Sequence, residues 1–297
     1  MPDYTYQTLH VELKGTADAH VLHVALNRPK RINAFSMQMW KDIKHCFTQV
    51  NEDSRVRCVL LSGNGPKGFT AGLDLTDPDL ASMFGAAPDP NDPDSPDFPR
   101  MALKAGQLVL FAGLPRFRPE VPCACGCCSP RHCLRQVDIR IASPDVRFSI
   151  REVLVGMAAD VGTLQFFPLI CGSDSVVREL CYTGRDFGAE EAKDLGFVSK
   201  IEQDALSAGL KLCEDIASNS PVAVVGIKHV LEYGREAQTA MQLKHNAVWN
   251  QAMILGSRDM MKCVVSSLCF HLRKRHVLRT IAHTMSKKPG KPRFSKL

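Results

Sequence analysis

Glu152 and Asp160 stand eight residues apart in a stretch that is otherwise apolar, with Val153, Leu154, Val155, Met157, Val161 and Leu164 around them and Gly156 between. Desolvation disfavours an ionised carboxylate, so an aspartate in apolar surroundings has a raised pKa. A carboxyl group that titrates near neutral pH is suited to carrying a proton. A chain reversal at Gly156 would bring both groups to one cavity, one as acid and one as base. Spacing alone leaves plainer roles open: Asp160 as the N-cap of a helix that begins near Gly162-Thr163-Leu164-Gln165, and Glu152 as half of a surface salt bridge.

A second candidate is Lys67-Gly68-Phe69-Thr70-Ala71-Gly72-Leu73-Asp74-Leu75, which follows a short apolar run, Val56 to Ser62. Glycine carries no Cβ, so backbone here can approach a ligand closely. A free N–H at Leu73 would then donate to a carbonyl oxygen; an ordinary strand-to-loop turn explains the same residues. The cysteines are a third signal. Five of the twelve, Cys123, Cys125, Cys127, Cys128 and Cys133, fall within eleven residues, and the other seven are scattered singly, as reduced core cysteines are.

These residues need elements to position them. Thr8 to Lys14 and His20 to Leu26 alternate apolar and polar side chains and read as strands. Asn27-Arg28-Pro29 ends the second. Ser36 caps a helix whose apolar residues Met37, Trp40, Ile43 and Phe47 recur at three and four. Val56 to Ser62 reads as a buried parallel strand, so the order strand, helix, strand points to an α/β sheet with crossover helices. Asp77 to Pro99 is rich in Asp and Pro and reads as a surface loop beside the strand ends. A helix is expected at Met101 to Phe111. Further helices are predicted at Thr163–Ile170, Ser175–Tyr182, Ala189–Leu195, Asp204–Ser218 and Ser220–Glu232, with Glu236 to Leu272 helical almost throughout.

The composition is that of a soluble globular protein, with 45% apolar and 23% charged residues among 297. No uncharged apolar run reaches the ~20 residues of a spanning helix; Asp160 interrupts the nearest, Val153 to Ile170. Met1-Pro2-Asp3-Tyr4 does not read as a secretory signal. The formal charge of +6 is carried by the end of the chain: His271 to Leu297 holds nine Lys/Arg and no acidic residue, and the remainder is slightly acidic at −3. That distribution argues for a solvated basic tail rather than a nucleic-acid-binding face.

Several ordered stretches resemble the signatures of the enoyl-CoA hydratase/isomerase (crotonase) superfamily: Leu26-Asn27-Arg28-Pro29-Lys30-Arg31-Ile32-Asn33-Ala34, Phe69 to Leu75, Asp138-Ile139-Arg140-Ile141-Ala142, Tyr182-Thr183-Gly184-Arg185 with Ala189-Glu190-Glu191-Ala192, Gly196-Phe197-Val198, and Ser220-Pro221-Val222-Ala223. The run Arg151-Glu152-Val153 with Gly156-Met157-Ala158-Ala159-Asp160-Val161-Gly162-Thr163-Leu164-Gln165 is most similar to the Δ3,5-Δ2,4-dienoyl-CoA isomerase branch, because hydratases typically have glycine where Asp160 stands. The resemblance implies an α/β crotonase fold of repeated β-β-α units with a helical C-terminal region. It implies Glu152 and Asp160 as the proton-transferring pair. Ala71, Gly72, Leu73, Asp74 and Leu75 would line the coenzyme A channel, with the N–H groups of Leu73 and Ser129 polarising the thioester oxygen. No cofactor or metal is implied, since coenzyme A is part of the substrate. A homo-oligomer, trimer or hexamer, is the expected assembly. In this reading residues 1–200 form the core, 201–272 a helical trimerisation region and 273–297 a basic tail.

One window departs from the pattern. Residues 112–137 carry Pro115, Pro119, Pro122 and Pro130 with Arg116, Arg118, Arg131 and Arg135, poor material for a buried strand. The oxyanion glycine of the family falls on Ser129, and its additional acidic residue on His132. Three explanations stay open: a locally shifted reading frame, an acyl-CoA-binding pseudoenzyme, or metal binding by Cys123, Cys125, Cys127 and Cys128, whose C-x-C-x-C-C spacing lacks the paired C-x-x-C of common zinc sites. A second carboxylate is missing at His132, which weakens enoyl-CoA hydration as a rival activity. Ser295-Lys296-Leu297 reads as the tripeptide recognised by the peroxisomal import receptor, which predicts a peroxisome or glycosome.

Overall fold

The computed structural model describes residues 4–16, 19–74, 76–79, 123–126, 137–155, 158–159, 163–236 and 239–256. The chain opens with an antiparallel pair, β1 (Leu9–Thr16) and β2 (Ala19–Leu26). Helix α1 (Met37–Glu52) then returns the chain to β3 (Val56–Gly63), parallel to β2. Ser36 caps α1 by accepting the Met39 N–H at 3.2 Å. Met39, Trp40, Ile43, Cys46, Phe47 and Val50 are buried at helical spacing, so α1 buries one stripe against the sheet.

Strands β4 (Cys123–Gly126), β5 (Ile139–Ala142) and, at the far edge, a two-residue strand Lys200–Ile201 continue the parallel run. A separate antiparallel pair joins Arg147–Phe148 to Phe187–Gly188. The helices are α2 (Thr163–Ile170), α3 (Asp174–Thr183), α4 (Ala189–Asp194), α5 (Ala205–Ala217), α6 (Pro221–Glu236) and α7 (Thr239–Gly256). The expected helix Thr163–Ile170 is matched end to end, and those expected at Ser175–Tyr182, Ala189–Leu195, Asp204–Ser218 and Ser220–Glu232 start and stop within a few residues of expectation; of the helical stretch expected from Glu236 to Leu272, Thr239–Gly256 is helical and the part beyond Gly256 lies outside the described residues. The predicted loop from Asp77 and the helix at Met101–Phe111 lie almost wholly outside the described residues.

The sheet separates two cores because side chains alternate across it. On one side α5 covers Val21, Cys58 and Leu60 with Cys213 and Ala217. On the other, Leu22, Val24, Leu26, Val59 and Leu61 join the apolar face of α1 and a cluster of aromatic rings. Phe148, Phe167, Phe187 and Phe197 meet there at ring separations of 5.3 to 6.3 Å, spacings at which offset and edge contacts are favourable. Cys46, Cys58, Cys171, Cys181 and Cys213 are free, and all of these but Cys181 are buried.

One expectation is overturned. The Pro- and Arg-rich window reads as poor strand, yet Cys123–Gly126 lies in the middle of the sheet, paired with β3 on one side and β5 on the other. Its four residues contain no proline, so every ladder N–H is available, and the neighbouring strands supply the partners.

Candidate active site

Strands β2 to β5 are parallel neighbours, so their carboxyl ends share one edge of the sheet. In open α/β sheets ligands bind outside that edge. The loop carrying Leu73 follows β3, β4 stops three residues before Ser129, and Glu152 follows β5. Topology thus puts the loop that carries Leu73 at that edge.

Leu73 is held by a parallel bridge to Phe35. The Phe35 N–H donates to the Gly72 carbonyl at 2.7 Å, and the Asp74 N–H donates to the Phe35 carbonyl at 3.0 Å. A parallel bridge of this kind engages the peptide groups on either side of Leu73, so the Leu73 N–H itself faces away from Phe35. It has no acceptor among the described residues. Gly72 adopts φ +94°, a left-handed conformation that favours glycine. Thr70 secures the turn twice: its hydroxyl donates to the Asn33 carbonyl at 2.7 Å and accepts the Gly72 N–H at 3.1 Å.

The facing segment is equally constrained. Ile32 and Asn33 both sit at φ +49°, uncommon for residues with a Cβ. The Asn33 side chain accepts the Arg28 N–H at 2.8 Å and donates to the Asn64 carbonyl at 2.9 Å. The Arg28 guanidinium donates to the Ala34 carbonyl and, at 2.8 Å, to the Asp74 carboxylate. Asp74 also accepts the Thr76 hydroxyl at 2.6 Å. The Thr76 hydrogen bond first, then Arg28, hold the Asp74 carboxyl below its usual range against the opposing effect of burial. The Asp74 side chain is therefore committed to internal partners, while Ala71 is exposed and Leu73 half-buried.

Glu152 opens a short 3-10 turn, Glu152–Val155. It is fixed from both sides. Phe148, four residues earlier, is fully buried in the aromatic cluster, and Arg151 pairs with Asp186 at 2.8 Å. Val153 and Leu154 lie against Gly184, where a Cβ would come within 2.9 Å of Leu154. Glu152 is half-buried, and its Oε2 is sealed from solvent with no hydrogen-bond partner among the described residues. No hydrogen bond joins Glu152 to the 70–74 loop among those residues. Asp160, Leu75 and Ser129 lie outside them.

The remaining quoted motifs are structural. Arg140 is buried, donates to the carbonyls of Phe197 and Val137 at 2.6 and 2.7 Å, and stacks 5.3 Å from the Phe197 ring centre. Asp138 pairs with Lys228 of α6 at 2.8 Å. Gly184 ends α3 in the left-handed region, and Arg185 forks onto Glu191 at 2.6 and 3.0 Å. The supporting roles of Arg28, Asn33 and Thr70 were not assigned from sequence, although all three stand in the quoted motifs. Among the described residues no group of three or more His, Cys, Asp or Glu side chains is placed to hold a metal ion, and no helix is long and apolar enough to cross a membrane.

This architecture is the α/β crotonase fold. The enoyl-CoA hydratase from Mycobacterium tuberculosis H37Rv superposes with a TM-score of 0.73 at 21% identity, covering 98% of this chain and 99% of that one. The chain matches the enoyl-CoA hydratase/isomerase family over residues 21–82 and again over residues 133–263. It is 37% identical to the mitochondrial Δ(3,5)-Δ(2,4)-dienoyl-CoA isomerase of Homo sapiens over 89% of this chain and 80% of that protein. It is 34% identical to the peroxisomal Δ(3,5)-Δ(2,4)-dienoyl-CoA isomerase of Arabidopsis thaliana over 89% of this chain and 95% of that protein. The chain belongs to the enoyl-CoA hydratase/isomerase family, and its chemistry is of the hydratase/isomerase type on acyl-CoA thioesters.

Proposed function

We propose that this protein isomerises 3,5-dienoyl-CoA to 2,4-dienoyl-CoA in the breakdown of unsaturated fatty acids. Removing a proton from C2, next to the thioester, gives a trienolate. Returning a proton at C6 moves both double bonds one position toward the carbonyl. Glu152 and Asp160 are the two carboxyl groups of this transfer, one removing and one delivering. The Leu73 N–H stabilises the trienolate oxygen, with the Ser129 N–H as second donor, and residues 71–75 line the coenzyme A channel.

The observation that carries the reading is the Glu152 Oε2 atom, buried with no hydrogen-bond partner among the described residues. A native fold rarely leaves such an oxygen unsatisfied unless a ligand supplies the partner. The two named relatives support the 3,5-to-2,4 step. The test is to mix purified protein with a 3,5-dienoyl-CoA and follow absorbance at long wavelength. Growth of that band, as the diene becomes conjugated with the carbonyl, is the expected result. No growth, with consumption of a 2-enoyl-CoA instead, would make the protein a hydratase.

A second reading has one specific observation behind it: the two family matches leave residues 83–132 between them, and Ser129 falls in that gap. A chain lacking the second oxyanion donor would bind acyl-CoA and turn it over poorly. Thioester binding without turnover in the same assay would establish it.

Assembly and address complete the proposal. Ile227 and Leu231 on α6 and Met241, Leu243 and Val248 on α7 are exposed, and they support burial of the helical region in a trimer or hexamer. Light scattering would show a multiple of three chains, or a monomer that refutes it. Ser295-Lys296-Leu297 is proposed as a peroxisomal or glycosomal address, tested by reporter fusions with and without those residues.

A further inference from the structure

Arg28 bridges the two strands that present the Leu73 N–H. One arm of its guanidinium donates to the Ala34 carbonyl, immediately before Phe35; the other meets the Asp74 carboxylate at 2.8 Å, immediately after Leu73. Phe35 and Leu73 are themselves the bridged pair. The fork therefore spans the register that aims the Leu73 N–H. Its partner Asp74 is buried and kept ionised by Thr76 and by Arg28 itself. The Arg28 backbone is locked in turn, its N–H donated to the Asn33 side chain and its carbonyl accepting the Asn33 N–H at 3.0 Å.

From this geometry we infer that Arg28 is a positioning residue for the oxyanion donor at Leu73, acting through Ala34 and Asp74 without touching substrate. The inference rests on the proposed isomerase reading. The chemistry selects arginine over lysine. Two acceptors on different segments need a rigid planar fork, and an ammonium is a point charge that cannot hold both in that geometry. Such displacement matters because an oxyanion donor works only at hydrogen-bond distance from the position the developing charge occupies, and a shift of ~1 Å can cost on the order of 100-fold in rate.

The test uses full-length protein and the variants Arg28→Lys, Arg28→Gln and Asp74→Asn. Three quantities are compared: kcat and KM on a 3,5-dienoyl-CoA, the dissociation constant of a 2,4-dienoyl-CoA, and the red shift of that thioester's absorption when bound. The shift reports polarisation of the carbonyl, which a loss of stability alone does not change. The expected result is a fall in kcat of roughly 10-fold or more in both Arg28 variants, a smaller red shift, and a dissociation constant within about 3-fold of the unmutated protein. Asp74→Asn should lower kcat and the red shift in the same way, and serves on those two readouts if an Arg28 variant does not fold. Variants that lose thermal stability but keep the full red shift and kcat would overturn the inference while leaving the isomerase reading intact. Unmutated protein that neither turns over substrate nor shifts the bound chromophore would overturn the functional reading and the inference with it.

Discussion

Lys228 reaches from α6 back to Asp138, the residue preceding β5, and their charged atoms lie 2.8 Å apart. The lysine side chain is buried and the carboxylate about a third exposed. This contact fastens the C-terminal helices to the strand that leads toward Glu152.

Removing the carboxylate leaves an ammonium in the interior with its ion-pair partner gone. Breaking a fully buried pair costs roughly 3–5 kcal/mol, and partial exposure of Asp138 reduces that to about 2–3 kcal/mol. Asp138→Ala should show this loss in urea unfolding. Lys228→Met, which removes the buried charge as well, should cost less.

Gly63 closes β3 directly beneath the 69–74 loop. A Cβ there would stand 2.6 Å from the Phe69 carbonyl oxygen and 2.8 Å from the Phe69 Cα, both backbone atoms that cannot swing aside. Gly63→Ala should therefore push the loop off its bridge to Phe35. Expected outcomes are a stability loss of about 1–3 kcal/mol and a fall in turnover of at least ~10-fold. Full turnover in a folded Gly63→Ala protein would show that the loop's placement is not critical.

Asp53 predicts a pH dependence. Hydrogen bonds from Arg55, chiefly, hold its carboxyl at about 2, below the ordinary 3.8 and against the effect of burial. A group whose pKa is depressed by folding stabilises the native state above its unfolded pKa, and loses that contribution as pH falls through the folded value. The gap in stability between the unmutated protein and Asp53→Asn should be widest near pH 6. It should narrow from about pH 4 downward and close near pH 2. A gap independent of pH would contradict the assignment.

What sequence could reveal divides along the range of the interactions. The alternation in His20 to Leu26, the cap at Ser36 and the apolar spacing of α1 are local signals, and each element formed where its residues dictated. The catalytic candidates rest on motif resemblance and on the place of Asp160 within an apolar run of the sequence. The Arg28–Asp74 bridge and the Asp138–Lys228 pair were not, because their members lie 46 and 90 residues apart and nothing local announces either partner. Strand β4 was hidden for another reason. The prolines around Cys123–Gly126 weigh against a strand, while the reason it forms is pairing with β3 and β5, which lie far away along the chain.

The central claim is that two carboxyl groups, those of Glu152 and Asp160, pass a proton along a dienoyl thioester. The most direct measurement is turnover of a 3,5-dienoyl-CoA by Glu152→Gln and Asp160→Asn, each against the unmutated protein under identical conditions. Each substitution removes one proton carrier with little change of shape. The account predicts that each lowers kcat by at least ~100-fold while the thioester still binds. Turnover retained in either folded variant would contradict it.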